Sequence, residues 1–473
     1  MTRRTPVRLG RKLAAVAGAS ALAVGVFGAY ASESGAATAH AALSGNLTMS
    51  LSTFNAVPET VAVKAWEALN PSVNVSIADV SNNPSSLVPM LQSQQAAGNE
   101  PDINESYDAE TPTLATDGLA GNLKPVLTSS GIDPVSYWYK PFIDAYIPVV
   151  TTGDSVAGDV YGIPNEADAS VIIYNENEFK AAHVALPKDG WTWQQMEADA
   201  KKLRKGSGAT QSQYGICLRS DWQAVYNHVM LAYGVTAFTQ TKADFDSPQA
   251  VAAWKLLLAP FKDGEAVPES QIGANAAGDC GGVFESGEAA MGIGVRAGVA
   301  SYASAIGNKF KWNDVEMPLI KVGKHKPVNP SGGGSVDFTM APSVLDGSKG
   351  GNRTADLPNA ESFLKFFYSP AGQKVMEDTF SVIPAIPSVN GPTAEWRHLA
   401  GGPCPNCSWP KNNVPWSVDA AQALIAPNPP GNVFTVSNTV VPNMVQDVTT
   451  GGESLSAGLS SVQSALTAAY SGT

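Results

Sequence analysis

Residues 161–179 read YGIPNEADASVIIYNENEF. Pro164 fixes φ and removes a backbone donor, so regular structure must break there. The β-branched run Val171-Ile172-Ile173-Tyr174 that follows reads as a buried strand. Asn165-Glu166-Ala167-Asp168 is thereby set at the lip of a sheet, a place for a ligand.

Working outward, 46–52 (NLTMSLS) reads as a strand and 58–69 (PETVAVKAWEAL) as a helix with Val61, Ala65, Trp66 and Leu69 on one face. A strand at 73–79, a helix at 85–97 and the run Pro101-Asp102-Ile103 complete a mononucleotide-like half-fold, with ligands expected at the carboxyl ends of its strands. Downstream, a helix over 191–205 has Thr192 as N-cap, Gln195 as its capping-box partner and Trp193 as a core residue. Ser247-Pro248 opens another helix over 247–263 as N-cap and first helical residue. AESFLKFFY and AGQKVMED, separated by Ser369-Pro370, read as two short helices in series. This alternation predicts two α/β lobes rather than one sheet.

At 473 residues, 44% hydrophobic and 15% charged, the chain can bury a large core and has the length of two or three domains. The N-terminus carries Arg3, Arg4, Arg8, Arg11 and Lys12 ahead of the apolar run LAAVAGASALAVGVFGAY. Small residues with Ala-x-Ala sites at Ala37–Ala39 and Ala39–Ala41 follow, the layout of a secretory signal over 1–41. A retained signal anchor is the competing reading, and Arg3-Arg4 fits a twin-arginine signal poorly. No cysteine precedes Cys217, so no lipid-attachment cysteine lies at the signal end. The protein is expected outside the cytoplasm, secreted or associated with the cell surface.

The formal charge is −12, and removing 1–41 takes away five basic residues and one acid, leaving −16. An acidic exported protein repels phosphate backbones and anionic headgroups, which argues against nucleic-acid and membrane-surface roles. Cys217, Cys280, Cys404 and Cys407 are an even set in an oxidising compartment and suggest two disulfides. Cys404-Pro-Asn-Cys407 lies in a Pro-rich stretch without a thioredoxin-like pattern or a second ligand pair. A small disulfide loop is its reading, with Cys217–Cys280 as the other bridge. Gly292-Ile-Gly294-Val-Arg-Ala-Gly298 has the wrong spacing for a dinucleotide loop, and Ser331–Ser335 lacks the Lys of a phosphate loop. The scattered histidines lack metal spacing, so neither metal nor cofactor is expected.

Several blocks occur in a telling order: AAGNEPDINESYDAE, LATDGLAGNLKPV, DVYGIP, VIIYNENEFKAA, LPKDGWTWQQMEADAKKL, FDSPQAVAAW, FESGEAAMGIG, then FLKFFYSPAGQKVMED and IPAIPSV. In this order the chain, from about residue 44 to 473, resembles the extracellular solute-binding proteins of ABC importers, in the carbohydrate-binding family that includes the maltodextrin-binding proteins. The resemblance implies an α/β, two-lobed periplasmic-binding-protein-like clamshell with a multi-strand hinge. It would close on a carbohydrate, an oligosaccharide, and hand it to a membrane permease as a monomer. The first lobe would comprise 44–163 and 318–383, the second 164–317 and 384–473. Crossings would fall near 161–168, 314–319 and 378–385. The same order makes the strands carrying Cys217 and Cys280 neighbours in the second lobe.

Carried over by position, the ligand set is Thr53, Phe54 and Asn55 after the first strand, and Tyr107 and Asp108 after the strand at Pro101-Asp102. Asn165, Glu166 and Asp168 lie at the first crossing, Asp221 and Trp222 after YGICLRS, and Phe434 in the PNPPGNVF loop. A sugar wants planar hydrogen-bonding groups and an aromatic face, which this set supplies. Trp222 and Asp168 are expected on opposite sides of the cleft, although Trp222 could instead cap the helix that follows it. Arg296 stands where many relatives place a stacking Trp, and reads either as a hydroxyl or anion ligand or as a structural salt-bridge partner. The rival class is an exported carbohydrate-active enzyme using paired carboxylates drawn from Glu105, Asp108, Glu110, Glu166 and Asp168. No GxSxG or HExxH motif singles out a catalytic group. A surface-recognition protein, resting on an uncleaved anchor and the Pro-rich segment 384–416, is a third reading.

Overall fold

The computed structural model describes residues 42–52, 56–80, 84–107, 110–132, 159–167, 169–239, 241–272, 279–332, 336–377, 383–384, 410, 414–422, 429 and 431–472. Every element described below lies within the compact unit Leu43–Thr473.

β1 (Gly45–Ser52), β2 (Val73–Val80) and β3 (Ile103–Tyr107) run parallel, with Gly45 opposite Val73 and Ser52 opposite Val80. Parallel neighbours need crossover helices, here Ala56–Leu69 and Pro84–Ala97. β4 (Ile163–Pro164) and β9 (Val336–Met340) complete a sheet of order β2-β1-β3-β9-β4, with β9 antiparallel to both its neighbours. Leu47, Met49 and Leu51 alternate onto one face of β1 and meet Trp66, Ile103, Phe338, Phe363 and Phe367 in a first core. The Ala56–Leu69 helix buries Glu59, Ala62, Val63, Ala65 and Trp66, whereas Val61 is 39% and Leu69 60% exposed. The expected face is therefore rotated, because Val61 lies five residues from Trp66 while Ala62 lies one helical turn from it.

β6 (Ser170–Asn175) is the middle of a second sheet, flanked antiparallel by β7 (Met291–Val295) and β8 (Trp312–Val315). All six residues of β6 are buried, as its continuous apolar run requires. Tyr214 and Cys217 bridge in parallel to Ala289 and Gly292 beside β7. Helices Trp193–Leu203, Gln223–Ala232 and Pro248–Lys262 cover this sheet, and Tyr226 stacks on Trp254 with ring centroids 5.4 Å apart. Helices Gly431–Thr450 and Leu455–Ser471 add Val433, Val441, Leu459 and Leu466 to this second core. The Thr192–Gln195 capping box is present, and Ser247 Oγ caps the Pro248 helix by accepting from Ala250 N at 3.3 Å.

Between Pro164 and Ser170 the chain leaves the first sheet and enters the second. On the way β5 (Glu166–Ala167) pairs antiparallel with β10 (Ile383–Pro384). The return falls later than the expected 314–319. Met317 and Ile320 pack in the second core, and Leu319 pairs with Thr192. Asn329 Nδ2 donates to Asp419 Oδ1 at 2.6 Å, and Ser331 Oγ to Ser170 O at 2.8 Å. These bonds keep 317–332 on the second core, and the first sheet resumes only at Val336.

Candidate ligand-binding site

Gly162 is glycine because of what lies against it. A Cβ there would stand 2.0 Å from Asp337 Oδ2 and 2.8 Å from Thr111 Cγ2. Asp337 is fully buried on β9 and accepts from Ser106 Oγ at 3.0 Å and Thr111 Oγ1 at 2.5 Å. This close approach draws the 161–167 segment onto the ends of β3 and β9. Asn165 N then donates to Val336 O at 3.0 Å, and Asn165 Nδ2 donates to Glu105 Oε1 at 3.2 Å.

Glu105 shares the face of β3 that carries Ile103, and so points to the side covered by the Ala56–Leu69 helix. Glu59, in the first turn of that helix, completes a buried floor with Glu105, Asn165 and Glu166. The Glu59 carboxyl is held well above the usual carboxylate range by burial first, then by the charges of Glu105 and Glu166. Glu59 and Glu105 were not among the expected ligand residues. Their signal in the sequence is an acid at a core-facing position of an otherwise apolar helix or strand face.

A second cluster lies at the end of the Tyr214–Cys217 segment. The Cys217–Cys280 disulfide, with Cα atoms 5.8 Å apart, fixes the start of the turn that carries Arg219, Ser220, Asp221 and Trp222. Arg219 takes a left-handed backbone (φ 49°), and its Nε donates to Asp221 Oδ1 at 3.0 Å. Its guanidinium carbon lies 6.0 Å from the centroid of the Trp222 ring, the outer reach of a cation–π contact. Trp222 is half-buried, packs one side on the second core and occupies the N-cap position of the Gln223–Ala232 helix. Glu269 Oε1 accepts from Ser220 N at 2.6 Å and Ser220 Oγ at 2.5 Å, and its carboxyl lies within reach of the Asp221 charge. Burial, then the Asp221 charge, pushes Glu269 up to about 8.

The helix after Trp222 abuts the crossing. His228 Nδ1 would lie 1.9 Å from a Cβ on Gly332, whose carbonyl accepts from Ser170 N and Oγ, each at 3.0 Å. Burial lowers His228 to about 4, and its Nδ1 lies 2.6 Å from Ala224 O.

The structure thus brings Asn165 and Glu166 together at the crossing, and Asp221 and Trp222 at the second cluster. Arg296 is fully buried past the end of β7, and its charge acts on buried Asp314. Phe434 corrects an expectation: it is half-buried in the Gly431–Thr450 helix, not in a loop, because a proline pair just before Gly431 starts a helix there. Tyr107 ends β3. Thr53, Phe54, Asn55, Asp108, Asp168, Cys404 and Cys407 lie outside the described residues. Among the described residues no cluster of three or more His, Cys, Asp or Glu could hold a metal ion, and no helix is long and apolar enough to cross a membrane.

The sequence profile of the bacterial extracellular solute-binding proteins matches residues 62–400. The chain belongs to that family. A mannitol-binding protein of Pseudomonas aeruginosa is 36% identical over 102 residues, 22% of this chain and 21% of that protein. An sn-glycerol-3-phosphate-binding periplasmic protein of Pectobacterium atrosepticum is 25% identical over 284 residues, 58% of each. The matches therefore span between about a fifth and three fifths of the curated relatives' length. Among solved structures, the cyclic α-maltosyl-1,6-maltose binding protein of Arthrobacter globiformis superposes with a TM-score of 0.68 at 17% identity. That superposition covers 90% of this chain and 99% of that one. The fold of this solute-binding protein is the two-lobed α/β architecture of periplasmic binding proteins.

Proposed function

We propose that the protein captures a carbohydrate or related polyol between its lobes and delivers it to the permease of an ABC importer, performing no chemistry itself. The lobes would be 44–163 with 336–377, and 169–332 with 414–472. The observation that carries the reading is the segment 162–170, which crosses between two separately cored sheets with Asn165 and Glu166 buried at the crossing. Polyhydroxylated solutes are gripped by such planar amide and carboxylate groups, with an aromatic face as the second element. Trp222 and Asp221 supply that element. Relatives named for mannitol and for a cyclic maltosaccharide support a polyol or sugar as the solute.

The rival reading is an exported enzyme with paired carboxylates drawn from Glu105, Asp108, Glu110, Glu166 and Asp168; membership of the solute-binding family favours the binding role over it. Export by a signal over 1–41, and action as a monomer, belong to the same proposal.

Calorimetry against mono- and oligosaccharides and sugar alcohols tests it, with the bound solute recovered unchanged afterwards. Scattering should show a smaller radius of gyration at saturation, because a ligand contacting both lobes favours the closed state. Steady release of a cleaved product, or no binding across the panel, would overturn the reading.

A further inference from the structure

We propose that the floor at the crossing takes a positively charged nitrogen, so that the solute is a carbohydrate bearing a free amino group. The inference rests on the carbohydrate-binding reading above and narrows its substrate class.

Glu59 is fully buried, and among the described residues neither of its carboxylate oxygens has a hydrogen-bond partner. Buried polar groups are satisfied in the large majority of cases, and an uncompensated buried carboxylate is strongly destabilising. Asn165, also fully buried, commits its Nδ2 to Glu105 and leaves Oδ1 without a partner among the described residues. Its amide orientation follows from that bond, since the reverse would set a carbonyl oxygen against a carboxylate. All three orphan atoms are acceptors. What the floor lacks is a donor.

The charges of Glu105 and Glu166 both reach Glu59, so the missing donor is best a cation. An ammonium offers three N–H donors and a positive charge, where a hydroxyl offers one donor and none. An anionic group such as a phosphate would instead meet three carboxyl groups. The only competing relief is a proton on Glu59, which would turn one acceptor into a donor and leave a neutral sugar equally welcome.

The test is calorimetry on the full exported chain at about pH 7, where primary ammonium groups are charged. The probes are matched series: glucosamine, its disaccharide and its trisaccharide, against glucose, cellobiose and cellotriose, and against the N-acetylated forms. At least one amine should bind about tenfold or more tighter than its hydroxyl and N-acetyl counterparts, the scale of a charge-assisted hydrogen bond. Glu59→Gln, which keeps the shape and removes the charge, should abolish that preference without lowering the melting temperature. Should this variant fail to fold, Glu105→Gln should show the same loss. Neutral sugars that bind as tightly as their amines, or a preference that survives the substitution, would overturn this inference and leave the carbohydrate reading standing. Binding by no member of either series would overturn both.

Discussion

At the scale of single residues, two side-chain sites separate packing from recognition. Gly162 faces a carboxylate that Ser106 and Thr111 hold in place, so Asp337 cannot swing aside without breaking those bonds. Gly162→Ala should therefore cost about 1–3 kcal/mol, the usual range for overpacking a well-filled site. Chemical denaturation checks this, and an unchanged midpoint would show that Asp337 relaxes freely. Trp222 has one side on the second core and the other partly open, with Arg219 above the ring. Trp222→Ala is expected to weaken solute binding by about 1–2 kcal/mol, roughly tenfold in Kd. A variant that melts earlier yet binds with full affinity would assign the ring to the core alone.

At the scale of elements, the strands and caps were legible because each carries a local mechanism. Thr192 with Gln195 and Ser247 with Pro248 announce helix starts by hydrogen-bond chemistry that needs no tertiary partner. The run 170–175 announces a buried strand by its unbroken apolar content. What escaped the sequence depends on contacts made at long range. The second core keeps residues 317–332 through Asp419, some 90 positions away from Asn329. The floor residue Glu59 looks like an ordinary first-turn acid until the helix face is known. The acid pair Asp221–Glu269 likewise joins residues that no local spacing relates. The Cys217–Cys280 bridge links two such distant pieces, closing a loop of 63 residues beside the Arg219–Trp222 turn. In the chain-entropy view a loop of that size is worth about 4 kcal/mol. Replacing both cysteines by serine should lower stability by an amount of that order and weaken solute binding, since the turn loses its anchor. Thermal melts of the double variant, compared with the oxidised parent protein, check it; an equal melting temperature would mean that packing alone holds the turn.

At the scale of the whole molecule, the second lobe holds several acids in their protonated form. Burial raises Asp314 to about 8, with the nearby Arg296 only partly offsetting it. Burial likewise raises Asp279 to about 7, although Gly281 N and Val295 N donate to its carboxylate. Glu269 reaches about 8 for the reasons given above. In the unfolded chain these groups lose their protons near pH 4, so between that point and about pH 8 the folded state binds more protons. Stability must then fall as pH rises through this window. His228 opposes the trend, because burial holds it neutral down to about 4 whereas an exposed imidazole protonates near pH 6.5. Its effect is confined to lower pH, where the unfolded chain takes up the extra proton and stability rises with pH. Above about pH 6.5 the carboxyls act alone. Melting temperatures measured from about pH 6.5 to about pH 8.5 should therefore fall steadily, and Asp314→Asn should flatten the slope while leaving the sign unchanged. A flat or rising curve over that interval would mean that these carboxyls ionise in the folded protein and find solvent or partners there.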